Sequence, residues 1–289
     1  MTSDAPEITL AGLGEALLEL PTIPETLTRI LELLEDPNSG ARDLAAVIRS
    51  DAPLAAKILR LANSPLYQKN RSITTVQECV AVLGYRTVRQ VALCVAVVSS
   101  LGKECDARAA ALDYRDLWRH CVTVGAVSQE LARAVRHESP ETVFTGGLLH
   151  DLGKFVLTIC HPRHYADLVV ARRRSGLPLV EAERRDLGFD HAQAGGALAR
   201  SWNFPDVLIA MIAGHHDREP SDRSVALVGL ADHLANIMAP TRSDLGFSGN
   251  EDDADALYSQ AGITRYQVED LTEQLEQAIA AVEPLASLD

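Results

Sequence analysis

A chain of 289 residues that is 47% hydrophobic and 23% charged has ordinary globular composition, enough for one large domain or two small ones. Its formal net charge of -13 opposes a phosphate backbone, whose binding needs a clustered Lys/Arg footprint, so nucleic acid is not an expected partner. Aromatic residues are only 4% while Ala and Leu abound, which favours helices packed through aliphatic ridges over a sheet, and the expected class is all-α.

The opening stretch MTSDAPEITLAGLGEALLEL has no basic region followed by an apolar one, and no run reaches membrane-spanning length without charge. A soluble, cytoplasmic protein with no membrane partner is therefore expected. TIPETLTRILELLEDPNSG puts Pro24 early in a helix, Leu27, Ile30, Leu31 and Leu34 at helical spacing, and a Pro-Asn-Ser-Gly stop at its end. Ser39 is the expected cap of GARDLAAVIRS. Asp51 with Pro53 opens PLAAKILRLANS, Thr74 or Thr75 opens VQECVAVLG with a stop at Gly84, and RTVRQVALCVAVVSSLG closes at Gly102. Residues 1–102 thus read as an N-terminal bundle of about five helices.

The polar start of KECDARAAALD marks a soft boundary to a second bundle over 103–240. YRDLWRHCVTVGAVSQELARAVRH reads as one long helix. Ser139 caps, and Pro140 begins, a helix that carries TGGLLHDLGKF at 145–155. Further helices are PRHYADLVVARRR, PLVEAERRDLG, DHAQAGGALARSW, PDVLIAMIAGHH and RSVALVGLADHLANIM. The one basic cluster, ARRRSG at 171–176, reads as the solvated C-terminal end of a helix, where cations complement the dipole. No segment alternates as a strand does, and there is no internal repeat. Residues 241–289 comprise the acidic, turn-rich TRSDLGFSGNEDDADALYSQAG and an amphipathic terminal helix. Its stripe of Val268, Leu271, Leu275, Ile279 and Val282 packs on the domain or offers a dimerisation or partner surface.

Cys79, Cys94, Cys105, Cys121 and Cys160 are scattered and contain no C-x-x-C pair, so reduced core thiols are expected rather than a disulfide framework or thiolate zinc site. The nine histidines are distributed differently: all follow residue 119. His120 interrupts the apolar LWRHCVTVG, His150 and Asp151 interrupt TGGLLHDLGKF, His191 follows a capping Asp190, His215 and His216 end VLIAMIAG, and Asp232 sits within LVGLADHLA. Groups this costly to bury need a partner: each is either satisfied by a polar neighbour or holds a metal. Packed helices can converge such groups on one point, and imidazole with carboxylate is the ligand mix for iron, manganese or zinc. Two such ions could polarise a phosphoryl group and generate hydroxide for in-line attack. Adjacent His and Asp differ by about 100° around a helix, so both reach one ion only if it lies beside their shared edge.

The set His120, His150-Asp151 and Asp232 resembles the H...HD...D signature of the HD superfamily of metal-dependent phosphohydrolases, and His191 with the His215-His216 pair resembles the second metal site of its two-metal members. From LPTIPETL through LANSPLY, ITTVQECVAVLGYRTVRQVAL, LWRH, GLLHDLGKFVL and DHAQAGGALARSWNFPDVLIAMIAGHH, the ordered segments of residues 15–240 are similar to the HDOD domain of bacterial signalling proteins. The resemblance implies an N-terminal helical bundle leaning on an HD-type bundle. It implies one divalent ion on His120, His150, Asp151 and Asp232, and a second on Asp151 as bridge with His191, His215 and His216. Lys154 matches a lysine that approaches a substrate phosphate in the HD-GYP relatives, and Asp116 stands where some of those enzymes carry a third-metal carboxylate. Asn63 and Ser64 of LANSPLY match a family marker and imply a polar helix end against the second bundle.

The chain departs from the cyclic di-GMP enzymes at HHDREPSDRSV, which lacks their Gly-Tyr-Pro segment. Two functions follow from the resemblance. One is a regulatory module that acts on signalling proteins in trans, such as a cyclase, kinase or receiver protein, with one or two bound ions. The other is a metal-dependent phosphodiesterase or phosphohydrolase acting on a nucleotide or cyclic nucleotide, with Asp151 and Lys154 at the reacting centre.

Overall fold

Apolar residues at helical spacing, punctuated by caps, make every regular element among the described residues of the computed structural model an α-helix, as the composition implies. Those residues are 23–36, 38–63, 73–108, 113–220, 222–240 and 251–286. The readings of residues 1–22, of Ser64 and of the stretch 241–250 lie outside them.

In the N-terminal half, α1 (Glu25–Glu35) buries Leu27, Ile30 and Leu31, and α2 (Ala41–Ser50) buries Leu44, Ala45 and Ile48. The short helices α3 (Ala52–Ala62) and α4 (Val76–Leu83) follow, and α1, α3 and α4 all pack on the long α5 (Tyr85–Arg108). Caps fall largely where the sequence puts them: Asp51 Oδ1 accepts from the Leu54 amide at 3.0 Å, and Thr75 and Glu78 form a reciprocal capping box before α4. Two starts and stops differ. Gly40, not Ser39, caps α2, because the Ser39 hydroxyl is taken by the Leu33 carbonyl at 2.8 Å and the Tyr85 hydroxyl at 2.6 Å. Gly102 does not end α5. It lies inside the helix, where a β-carbon would overlap the Tyr114 ring, so its glycine serves close packing and the 102/103 boundary falls within a continuous helix. Asn63 closes on its own half of the fold: its amide donates to the Ile73 carbonyl at 2.7 Å and its oxygen accepts from the Ile73 amide at 2.8 Å.

The second bundle is built around α6 (Tyr114–Ala134), on which α7 (Pro140–Leu149) and α13 (Arg223–Met238) pack. Between them in the chain come α8 (Leu152–Cys160), α9 (Pro162–Ser175), α10 (Leu179–Leu187), α11 (His191–Ser201) and α12 (Asp206–Gly214). α5 also packs on α7 and α8, so the two halves share apolar contacts. The helix expected to carry TGGLLHDLGKF is in fact two, α7 and α8, broken at His150 and Asp151. Together Pro140–Cys160 is long and apolar enough to cross a membrane, but 94% of that window is buried inside the protein. In the basic cluster, Arg173 and Arg174 are exposed as expected, while Arg172 is buried and donates from Nε to the Leu177 carbonyl at 2.7 Å.

The C-terminal segment is more helical than its composition suggests. Acidic residues from 251 onward form α14 (Glu251–Ala261), whose Ala254, Leu257, Tyr258 and Ala261 are buried, and α14 packs on α13. The single terminal helix is divided at Leu271 into α15 (Arg265–Asp270) and α16 (Thr272–Ala286), and α16 lies on α6 with Leu275 and Val282 buried. None of the five cysteines is joined in a disulfide, and four of them are buried.

One crossing sets the geometry of everything near Asp151. α8 and α11 touch backbone to backbone at Gly153 and Gly195, where a β-carbon on Gly153 would overlap the His191 carbonyl and one on Gly195 would sit 2.8 Å from the Gly153 amide nitrogen. Neither neighbour can move aside without separating the helices. Gly153→Ala should therefore cost about 3 kcal/mol or more of stability, above the usual range for overpacking. Urea denaturation of the variant checks this, and a loss below about 1 kcal/mol would show the crossing to be compliant.

Candidate metal centre

The two adjacent polar residues stand at the junction of α7 and α8. His150, the C-terminal cap of α7, keeps helical dihedrals (φ -54°, ψ -40°), the chain departs from them at Asp151 (φ -87°, ψ 15°) at the N-terminal cap of α8, and both residues are completely buried. His120 comes from the middle of α6, His191 from the first position of α11, His215 and His216 from the end of α12, and Asp232 from α13. All seven lie in one cluster.

Asp151 stands at its middle. Its Oδ2 faces His150 Nε2 at 3.3 Å and His120 Nε2 at 3.6 Å, while its Oδ1 faces His191 Nε2 at 3.3 Å. On the Oδ2 side, Asp232 Oδ1 lies 2.9 Å from His120 Nε2 and 3.8 Å from His150 Nε2. On the Oδ1 side, His216 Nε2 lies 2.9 Å from His191 Nε2, and the His215 and His216 rings are 4.0 Å apart. The potential ligand atoms of His120, His150 and Asp232 all lie within 4.8 Å of one another, as do those of His191, His215 and His216.

The far nitrogens fix which way these rings face. His150 Nδ1 bonds the Gly147 carbonyl at 2.6 Å, His215 Nδ1 bonds the Ile212 carbonyl at 2.8 Å, and His191 Nδ1 bonds Glu183 Oε2 at 2.6 Å. A ring that donates from Nδ1 presents Nε2 inward as the ligating atom. The Nε2 atoms of His120, His150 and His215 and Oδ1 of Asp151 are buried and make no well-aligned hydrogen bond, although carboxylate oxygens lie 2.9 Å from His120 Nε2 and 3.3 Å from His150 Nε2. A divalent cation would satisfy all four, so this donor set fits one.

Charge is arranged around Asp151 accordingly. Burial alone would raise its pKa, but His150 and Lys154 hold it well below the usual carboxylate range. Lys154 Nζ, itself buried, donates to Asp151 Oδ2 at 2.7 Å; burial opposes its charge, and Asp151 and Asp232 keep its pKa raised. Burial works against a charged His191 too, yet the Glu183 carboxylate brings its pKa up to about 9. Burial and the neighbouring His150 and His191 push His215 down to about 3, and burial with His215 pushes His216 well down.

Two participants were not legible in sequence. Glu183 sits in EAERRD on α10, where it looks like part of a solvated charge run, yet it is fully buried and accepts from Tyr165 as well as His191. Cys121, expected as core filler, has its sulfur within 4.8 Å of potential ligand atoms of His150 and Asp151, although burial raises its pKa well above the ordinary thiol range. Asp116 is half-buried in the first turn of α6 and is not among the clustered groups. His137 sits away from the centre too, accepting from the Ser139 amide and meeting the Ser224 hydroxyl, and His164 is exposed.

A fold that is all-helical among the described residues and gathers an adjacent His-Asp pair, four further histidines and a second aspartate into one largely buried cluster defines a protein of the HD phosphohydrolase-like class. The HDOD domain model matches residues 20–218, and the chain belongs to the HDOD domain family. It is 25% identical to a candidate phosphohydrolase from Shewanella amazonensis SB2B, with a TM-score of 0.75 over 95% of this chain and 98% of that one. It is also 25% identical to a candidate signal transduction protein from Marinobacter aquaeolei VT8, with a TM-score of 0.78 over 94% of this chain and 60% of that one. An uncharacterized protein of Treponema pallidum (strain Nichols) is 27% identical over 210 residues, which is 72% of this chain but only 39% of the relative's length.

The histidine environments set the pH dependence of the metal-free protein. His215, with its pKa lowered to about 3, contributes stability in full above the unfolded value of about 6.5 and loses it as pH falls toward 3. His191 runs the other way: its contribution is full below about 6.5 and is lost as pH rises through about 9. Urea midpoints of chelator-treated protein should accordingly peak near neutrality and fall on both sides, and His191→Gln should remove the alkaline fall. A midpoint that stays level from about pH 5 to about pH 9 would contradict these assignments.

Proposed function

We propose that this HDOD protein is a signal-transduction regulatory module that binds one or two divalent ions, iron, manganese or zinc, in the His/Asp cluster and acts on signalling proteins in trans. The observation that carries this reading is closure: His120, His150, Asp151, His191, His215 and Asp232 are each no more than 3% exposed. Burial this deep leaves little room beside Asp151 for a substrate phosphate, whereas catalytic metal sites keep a position open for water or substrate. His120, His150, Asp151 and Asp232 would hold one ion, and Asp151 as bridge with His191, His215 and His216 would hold the other. Lys154 points the same way, since its ammonium is engaged by the carboxylate that both ions would share.

A second reading, hydrolysis of a nucleotide or cyclic nucleotide, has one observation in its favour. His216 is only half-buried, and a surface cleft reaches it and His215 past Arg184, Asp217 and Leu257. A bound ion would polarise a phosphoryl oxygen and lower the pKa of water. In that chemistry Lys154 would have to leave Asp151 to meet the developing charge on phosphate. The missing Gly-Tyr-Pro segment argues against cyclic di-GMP as the substrate.

Elemental analysis of untagged protein, wild type beside Asp151→Ala, separates these possibilities from a metal-free polar core. The proposed function predicts stoichiometric divalent metal in the wild type and its loss in the variant. It also predicts no turnover above background on a panel of cyclic nucleotides, nucleotides and model phosphodiesters supplied with Fe, Mn or Zn. Metal-dependent turnover abolished by Lys154→Met would establish the second reading instead. A folded wild type that takes up no metal would overturn both.

A further inference from the structure

In the run Glu181 to Asp186, the residues Glu181, Arg184, Arg185 and Asp186 are exposed, as a surface helix demands, while Glu183 is fully buried. A buried carboxylate persists only where donors replace its water. Glu183 has three. Its Oε2 accepts from His191 Nδ1 at 2.6 Å and from the His191 backbone amide at 2.9 Å, and its Oε1 accepts from the Tyr165 hydroxyl at 2.7 Å. The Tyr165 ring is itself buried on α9.

His191 is thereby distinguished from the other histidines of the cluster whose far nitrogens have assigned partners. His150 and His215 each use a backbone carbonyl, whereas His191 uses a carboxylate that also grips its own backbone. A carboxylate on Nδ1 fixes the tautomer, stops the ring from rotating and makes Nε2 a stronger donor to a cation. Two bonds from one oxygen to the side chain and amide of one residue also fix where α11 begins relative to α10. Tyr165 limits the remaining freedom of Glu183 by holding its second oxygen.

We infer that Glu183, anchored by Tyr165, is the positioning residue that makes His191 a ligand for the second divalent ion, the one held with His215 and His216. The inference rests on the proposed metal-binding function. Neither residue touches the ion; each acts through the orientation of His191. The first ion, held by His120, His150 and Asp232, shares only Asp151 with that half and should be nearly indifferent to changes at Glu183.

Titration of metal-free protein with Mn2+, followed by calorimetry and by electron paramagnetic resonance of free and bound ion, tests this. Wild type should take up two equivalents. Glu183→Gln keeps an acceptor for His191 but removes the charge, and it should weaken the second equivalent about 10- to 100-fold while leaving the first unchanged. Glu183→Ala should lose the second equivalent entirely, and Tyr165→Phe, which removes a single hydroxyl, should weaken it less than Glu183→Gln. Circular dichroism confirms that each variant is folded, and if Glu183→Ala is not, the ordered pair Glu183→Gln and Tyr165→Phe carries the test. Two equivalents of unchanged affinity in both of these variants, or equal weakening of both equivalents, would overturn the positioning role and leave the proposed function standing. A wild type that binds no Mn2+ would overturn both.

Discussion

A single carboxylate organises this protein. Asp151 is wholly buried, ionised, and faced from one side by His120 and His150 and from the other by His191. An isolated charge in an apolar interior is costly by many kcal/mol, so the surrounding structure has to supply compensation from several directions at once. Lys154 supplies a full positive charge from the next turn of α8. Of the flanking imidazoles, His150 and His191 are aimed inward by hydrogen bonds on their outer nitrogens, which is what a cation between them would require.

The local folding around Asp151 follows from that demand. Adjacent side chains on a helix diverge by about 100°, so His150 and Asp151 meet at their shared edge, where His150 Nε2 lies 3.3 Å from Asp151 Oδ2. The chain leaves the spiral only at Asp151, which at the start of α8 also gains the favourable N-terminal end of a helix. Glycine does the rest: the α8–α11 crossing at Gly153 and Gly195 brings the backbones into contact and carries His191 to the opposite side of the carboxylate. The pieces are interdependent, since a wider crossing would move His191 away while leaving Asp151 and Lys154 paired.

Much of this was legible in the chain. Caps and apolar spacing define the helices, and polar residues interrupting apolar stretches single out all seven clustered groups, because hydrophobic periodicity makes an unexplained His or Asp conspicuous. What was hidden is instructive for the same reason. Glu183 lies among charges that really are exposed, so nothing in its neighbourhood marks it as buried; only the tertiary placement of Tyr165 and His191 does. The helix break at Asp151 is likewise invisible, since no Pro or Gly stands at the junction and the sequence on either side is equally apolar. Gly102 misled in the opposite direction, its glycine answering to the Tyr114 ring rather than to a helix end. The acidic residues that begin α14 suggested turns, yet Ala254, Leu257, Tyr258 and Ala261 supply the apolar face that keeps that segment helical against α13.

The central claim is that the orphaned inward-facing atoms around Asp151 exist to hold divalent metal. The most direct measurement is a crystal structure of protein grown with Mn2+, with anomalous difference density collected at the manganese edge. The account predicts density in contact with the Asp151 carboxylate and with at least one of the flanking histidine sets. Saturating Mn2+ with no anomalous density in the cluster, and Asp151 paired with Lys154 as it is here, would contradict it.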